Sequence, residues 1–244
     1  MPESDVGGSP VEVPEDSAWS LIWAVLTAPS DTFPRLAARP IFAVALVLLL
    51  ALGTAVGFVA MGKVTPEELL RTFEERGQAA PAALQDDPEA FLAKFQWFQT
   101  AAGTVVAALF YLAAAGLFLA LFRLFGSDLT YRQSLATAVH GLLPLGLAAV
   151  VGILVLLGRE QVGLEELQTG GLVASNLAVF AGDDTGKVTR ALLSSVDLFS
   201  LWSLYLLAVG YRAVARVSSG VAGSVVLSLW AVGVGLKVGL AAIF

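Results

Sequence analysis

The sequence predicts an all-α polytopic membrane protein, a bundle of five transmembrane helices preceded by an interfacial amphipathic helix. Three observations carry this expectation. The chain of 244 residues is 57% hydrophobic and only 14% charged, with a mean hydropathy of +0.80, far more apolar than a soluble domain of its length. It holds five apolar runs of about twenty residues, the length a helix needs to cross hydrocarbon. Most of its acidic residues lie outside those runs, in the N-terminal tail and two loops.

In chain order, Met1–Asp16 carries five acids and no Lys or Arg, and is rich in Gly, Pro and Ser. It is too poor in apolar surface to pack and lacks the basic start of a cleavable signal, so a disordered tail is expected. Residues 17–40 form the expected interfacial segment. A helix over Ala18–Ala28 places Trp19, Ile22, Trp23 and Leu26 on one side and Ser17, Ser20, Ala24 and Thr27 on the other, too short to span. Pro29 stops it, and Ser30–Arg39 adds Phe33 and Leu36 as apolar contacts, with Arg35 and Arg39 available for lipid phosphates. Trp19, Trp23, Arg35 and Arg39 are thus the expected interfacial anchors.

The remaining chain, 41–244, is expected to be one five-span domain. The first span, Ile41–Met61, has Thr54 as its only polar interior residue. Thr65-Pro66-Glu67-Glu68 then reads as a helix start with a capping box. Asp87-Pro88-Glu89 opens a helix that runs through Phe95, Trp97 and Phe98, aromatics suited to the interface, into the second span, Gly103–Phe122. Thr130–Gln133 is another capping box. The third span, Ser134–Leu157, holds the single histidine, His140, and Pro144, which predicts a kink. Arg159–Arg190 is a Gly-rich acidic loop with a short helix expected inside Leu164–Phe180. The fourth span, Leu192–Tyr211, contains Asp197, and the fifth, Gly220–Ile243, contains Lys237. Gly220, Ser224 and Ser228, with Gly235 and Gly239, make small-residue ladders expected to let helices approach closely.

Asp197 and Lys237 each lie twenty residues from Val217 in the connecting turn, so antiparallel helices bring them to one depth. An isolated charge near a span's centre costs about 2.5 to 3.5 kcal/mol, which predicts an ion pair. Two readings stay open, a structural clamp and a step in an ion path. His140, Ser194 and Ser200 are the remaining candidate intramembrane polar site; for His140 the simpler reading is a histidine satisfied by a backbone oxygen.

Chemistry is otherwise scarce. Without cysteine there is no thiol catalysis, and one histidine cannot build a His-Glu-x-x-His metal site. An aspartyl intramembrane protease needs two membrane acids, and only Asp197 qualifies. Gly182–Lys187 departs from a phosphate loop, with three residues between its glycines and Val188 where Ser or Thr should bind magnesium. No enzyme activity, cofactor or metal is expected, and the net charge of −6 offers nothing to nucleic acid.

Arg35, Arg39, Arg123, Arg132, Arg212 and Arg216 flank the spans on one side against Asp31 and Asp128. The two long loops on the other side hold twelve acids and seven bases. Positive residues in short loops set topology, so the N-terminus is expected in the cytoplasm and the C-terminus outside.

Leu26-Thr27-Ala28-Pro29-Ser30-Asp31-Thr32-Phe33, followed by Arg39-Pro40 and the first span, resembles the entry of bacterial members of the Yip (Ypt/Rab-interacting protein) domain family. Thr130–Leu135 before a proline-containing span, and Val196-Asp197-Leu198-Phe199-Ser200-Leu201-Trp202, are similar to two more of its recurring stretches. The likeness covers Trp23–Ile243. It implies the five-span plan, and in eukaryotic members a cytoplasmic N-terminal region that engages Rab-type GTPases in vesicle trafficking. Here only sixteen residues precede the amphipathic stretch, so GTPase binding is not expected to carry over. With ten arginines against four lysines, the composition points to a GC-rich bacterial source and the inner membrane. The function expected is a non-catalytic, membrane-organising or partner-binding protein, with the bilayer and a second copy or other membrane proteins as partners. The alternative is a small transporter or channel using Asp197, Lys237 and His140.

Overall fold

The computed structural model describes residues 17–169, 172–182 and 185–243. Among these residues the secondary structure is helical, with no strand; the expected disordered tail lies outside them. The Ser17 side chain accepts from the Ser20 amide and starts α1 (Ala18–Thr27), which Ala28 separates from α2 (Pro29–Ala38). On α1 the apolar residues divide differently from expectation. Leu21, Ile22 and Val25 share one stripe and are buried, while Trp19 and Trp23 project from the opposite stripe, 60% and 68% exposed. Ile22 therefore turns inward, away from the tryptophans. On α2, Thr32, Phe33 and Leu36 are buried against α11 and α7, so this segment packs into the bundle as well as facing its surroundings.

The first span is α3 (Ala43–Met61). Thr65 caps α4 (Pro66–Glu75) by accepting from the Glu68 amide at 3.2 Å. The expected box is not closed, because the Glu68 carboxylate accepts instead from the Leu164 amide and from Arg71. After α5 (Ala82–Asp86), Asp87 caps α6 (Pro88–Leu124), one unbroken helix of 37 residues that merges the connecting helix with the second span. The capping box at Thr130 and Gln133 is complete and opens α7 (Tyr131–Gly141). The same Gln133 donates to the Ala37 carbonyl at 2.9 Å and so fastens α2 to α7. The third span breaks at Leu142 and resumes as α8 (Leu143–Leu157), with Pro144 in its first turn, where a missing N–H costs least.

Beyond it lie α9 (Leu164–Thr169), a 3-10 turn at Leu177–Phe180, and α10 (Lys187–Leu193). The continuous fourth span expected over 192–211 is interrupted. Ser194 and Ser195 both turn their hydroxyls back onto the Ala191 carbonyl, and α11 (Leu198–Val214) starts afresh after Asp197. At 17 residues α11 is shorter than the ~20 residues a span needs. The last helix is α12 (Ser219–Ile243). Among the described residues, four segments are long and apolar enough to cross a membrane: α3, α6, α7–α8 and α12.

Cross-links identify the two ends of the bundle. Ser127–Ala215, Ser134–Tyr211 and Gln133–Ala37 mark one; Val162–Lys63, Gln96–Phe58 and Lys237–Ser194 mark the other. The segment α7–α8 is central, half buried, whereas under a fifth of α3, α6 and α12 is covered.

Small residues hold the helices together, but not the ones expected. A Cβ on Gly223, Gly233, Gly235 or Gly239 of α12 would meet nothing within 4 Å, and Gly220, Ser224 and Ser228 are exposed. The close approaches are at Gly141, where a Cβ would stand 2.6 Å from the Leu207 side chain, and at Gly210. Periodicity finds small-residue ladders but not the side of the helix on which a neighbour arrives.

Candidate functional site

The break between α10 and α11 gathers most of the polar residues singled out in the sequence. Asp197 is the N-cap of α11; its Oδ1 accepts from the amides of Phe199 at 2.9 Å and Ser200 at 3.0 Å. These amides lack carbonyl partners at a helix start, and the carboxylate also suits the positive end of the helix dipole. The Lys237 ammonium, reaching across from α12, donates to Ser194 Oγ at 2.8 Å. Its partner is thus Ser194 and not the carboxylate expected from depth alone. Depth counting places the two residues at one level, but capping claims the carboxylate first. Neighbouring main chain is tied in as well, with Leu177 donating to the Val196 carbonyl and Leu198 to that of Ser175.

A consequence follows for charge exchange. Asp197→Ala is expected to cost about 1 kcal/mol through the lost cap, and Asp197→Asn to be nearly neutral. The double exchange Asp197→Lys with Lys237→Asp is expected to melt below the wild type in detergent, because lysine cannot accept from the Phe199 and Ser200 amides. Full recovery in the exchanged protein would instead make the Coulomb term dominant.

His140 is elsewhere. It lies on α7 and is 2% exposed, with Nδ1 2.9 Å from the Ala136 carbonyl of its own helix. None of its hydrogen bonds reaches Ser194, Asp197, Ser200 or Lys237. Trp19 and Trp23 are exposed, as are Arg35, which also donates to Thr32, and Arg39.

The principal polar network among the described residues is one that sequence reading missed. Tyr211, wholly buried on α11, donates to the Ser134 carbonyl at 3.0 Å, while the Ser134 hydroxyl donates to the Ala115 carbonyl of α6 at 2.7 Å. The ring packs against both Phe118 and Phe122, with centroids 4.5 and 4.8 Å away. Three helices meet on one phenol. Its signal in the sequence was faint, since a tyrosine ending an apolar run equally fits an interfacial belt. The matched depths of Ser134, four residues after its cap, and Tyr211, four before the Ala215 cap, were the available clue.

Elsewhere, Thr54 and Thr104 share a 2.7 Å hydrogen bond between α3 and α6, beside an open groove of about 600 Å³ lined by apolar residues, threonines and Trp97. No titratable group lines it. Among the described residues no three metal-ligating side chains cluster.

These features define an all-α integral membrane protein in which some polar side chains, Tyr211 with Ser134 and Thr54 with Thr104, join helix to helix. The model of the Yip1 domain matches residues 23–240, nearly the whole chain. The chain belongs to the Yip1 domain family. No curated protein and no solved structure matches it.

Proposed function

We propose that the protein organises membrane or partner proteins through its outer helix faces, without catalysis, from the bacterial inner membrane with its N-terminus in the cytoplasm. One observation carries the reading. Polar pairs such as Tyr211 with Ser134 and Thr54 with Thr104 join one helix to another, whereas α6 and α12 turn long apolar faces outward, including Leu109, Phe110 and Leu117 on one and Leu227, Val232, Leu236 and Leu240 on the other. A helix pair in the membrane gains little from apolarity alone but much from close packing, and the uncovered small residues of α12 permit it. A transport reading through Asp197, Lys237 and His140 gains no support, because His140 bonds its own helix while Lys237 and Asp197 serve the α10–α11 break.

The test is photo-crosslinking in the native membrane from a reactive side chain placed at Leu236 on α12, with one at the buried Leu206 as control. Discrete protein adducts, either a second copy or another membrane protein, are expected at Leu236 alone. Adducts only with lipid at both positions would remove the partner-binding reading.

A further inference from the structure

We propose that the α6–α7 and α11–α12 turns together form a binding surface for anionic phospholipid headgroups, with Arg123, Arg132, Arg212 and Arg216 as its cations. The two turns, some ninety residues apart in sequence, are fastened together. Ser127 donates to the Ala215 carbonyl at 2.8 Å and its own oxygen accepts from the Leu129 amide at 3.2 Å. Directly beneath, Tyr211 stacks on Phe122 of α6. The surface is therefore a fixed platform and not a pair of independent loops.

Its charge is one-sided. From Arg123 to Arg132 there are two arginines and one acid, Asp128; from Arg212 to Ser219 there are two arginines and no acid. All four arginines are exposed, and among the described residues none forms an ion pair. Arg123 alone is held to the platform, donating from Nε to the Leu129 carbonyl at 3.3 Å. Guanidinium groups match phosphate oxygens in a planar, two-pronged geometry.

The backbone adds an independent observation. Arg216, just past the end of α11, has φ 55°, a left-handed conformation that side chains disfavour. At the matching place after α6 the chain uses Gly126, with φ 79°. Glycine is the residue that turn demands, so an arginine there is kept for its side chain against a local conformational cost.

The occupant is amphiphilic. Beside Arg123 at the same turn, Leu124 is 81% exposed and Phe125 58%. Such apolar side chains next to unpaired cations fit a headgroup with its acyl region adjacent, not a free anion. This inference is independent of the partner reading, since it concerns the opposite end of α12 from Leu236 and is read by lipid and not by protein capture.

The full-length protein is purified in detergent, and its thermal midpoint and lipid retention by native mass spectrometry are measured with added phosphatidylglycerol or phosphatidylcholine. Phosphatidylglycerol is expected to be retained preferentially and to raise the midpoint, with the preference shrinking as salt increases. Arg212→Gln with Arg216→Gln is expected to weaken that preference by about fivefold for each arginine. Arg216→Gly is the decisive variant. It relaxes the backbone, so it should melt no lower than wild type in phosphatidylcholine and yet lose part of the phosphatidylglycerol response. Equal retention of both lipids, an unchanged preference in the double variant, or an equal midpoint shift from inorganic phosphate would each overturn the proposal.

Discussion

Gly210→Ala is expected to lower the stability of the bundle by about 1–3 kcal/mol, the range for inserting a carbon into a packed interior. A Cβ at this position would lie 2.7 Å from Phe33 Cε1, 2.8 Å from Phe33 Cζ and 2.8 Å from Thr137 Cγ2. Neither neighbour can retreat, since Phe33 and Thr137 are both fully buried and α2 packs against both α7 and α11. The informative comparison is Gly235→Ala on α12, where a Cβ meets nothing. There the substitution should be neutral or favourable, because glycine inside a helix costs about 0.5–1 kcal/mol relative to alanine. Melting in detergent decides between them. Equal midpoints for the two variants would show that α2 is not seated as described, and partial rescue of Gly210→Ala by Phe33→Leu would show that it is.

The larger effect is expected at Tyr211. Truncation to alanine removes an aromatic ring packed against Phe118 and Phe122, and should cost about 3–5 kcal/mol. Tyr211→Phe retains the ring and loses the hydroxyl that donates to the Ser134 carbonyl, which should cost about 1 kcal/mol. The pair of variants separates packing from hydrogen bonding. If Tyr211→Phe were as damaging as Tyr211→Ala, the hydroxyl would have a role that helix joining does not explain. Folded yield and thermal midpoint measured side by side give the answer.

Helix starts were the most legible part of the sequence, because a cap is local chemistry. Thr65, Asp87 and Thr130 each bond the amide three residues on. Glu68 was misassigned for the complementary reason: its partner, the Leu164 amide, lies ninety-six residues away and leaves no local trace. Asp197 shows the same competition in reverse. Its depth matched Lys237, but the nearer demand of the Phe199 and Ser200 amides governs its carboxylate, and Ser194 receives the lysine. Apolarity gave the long helices and could not give their partners. In a span nearly every side chain is apolar, so the pattern that separates inside from outside in a soluble helix is almost silent. For that reason the uncovered glycines of α12 and the closely packed Gly210 looked alike, and Tyr211 was hidden among candidate belt residues.

The seat of α2 constrains how the molecule is made. Synthesis delivers Phe33 and Leu36 among the first apolar residues, whereas α11, against which they pack, arrives about 170 residues later. Until then α1 is covered by α2, α3, α7 and α8, and α2 has its place on α7, but the side of α2 that meets α11 has no permanent cover in the nascent chain. Assembly ends when the C-terminal hairpin docks, bringing Gly210 onto Phe33 and Tyr211 onto Ser134 together. Premature release before that step leaves an N-terminal half with its own apolar wedge exposed, the species that membrane quality control would meet first.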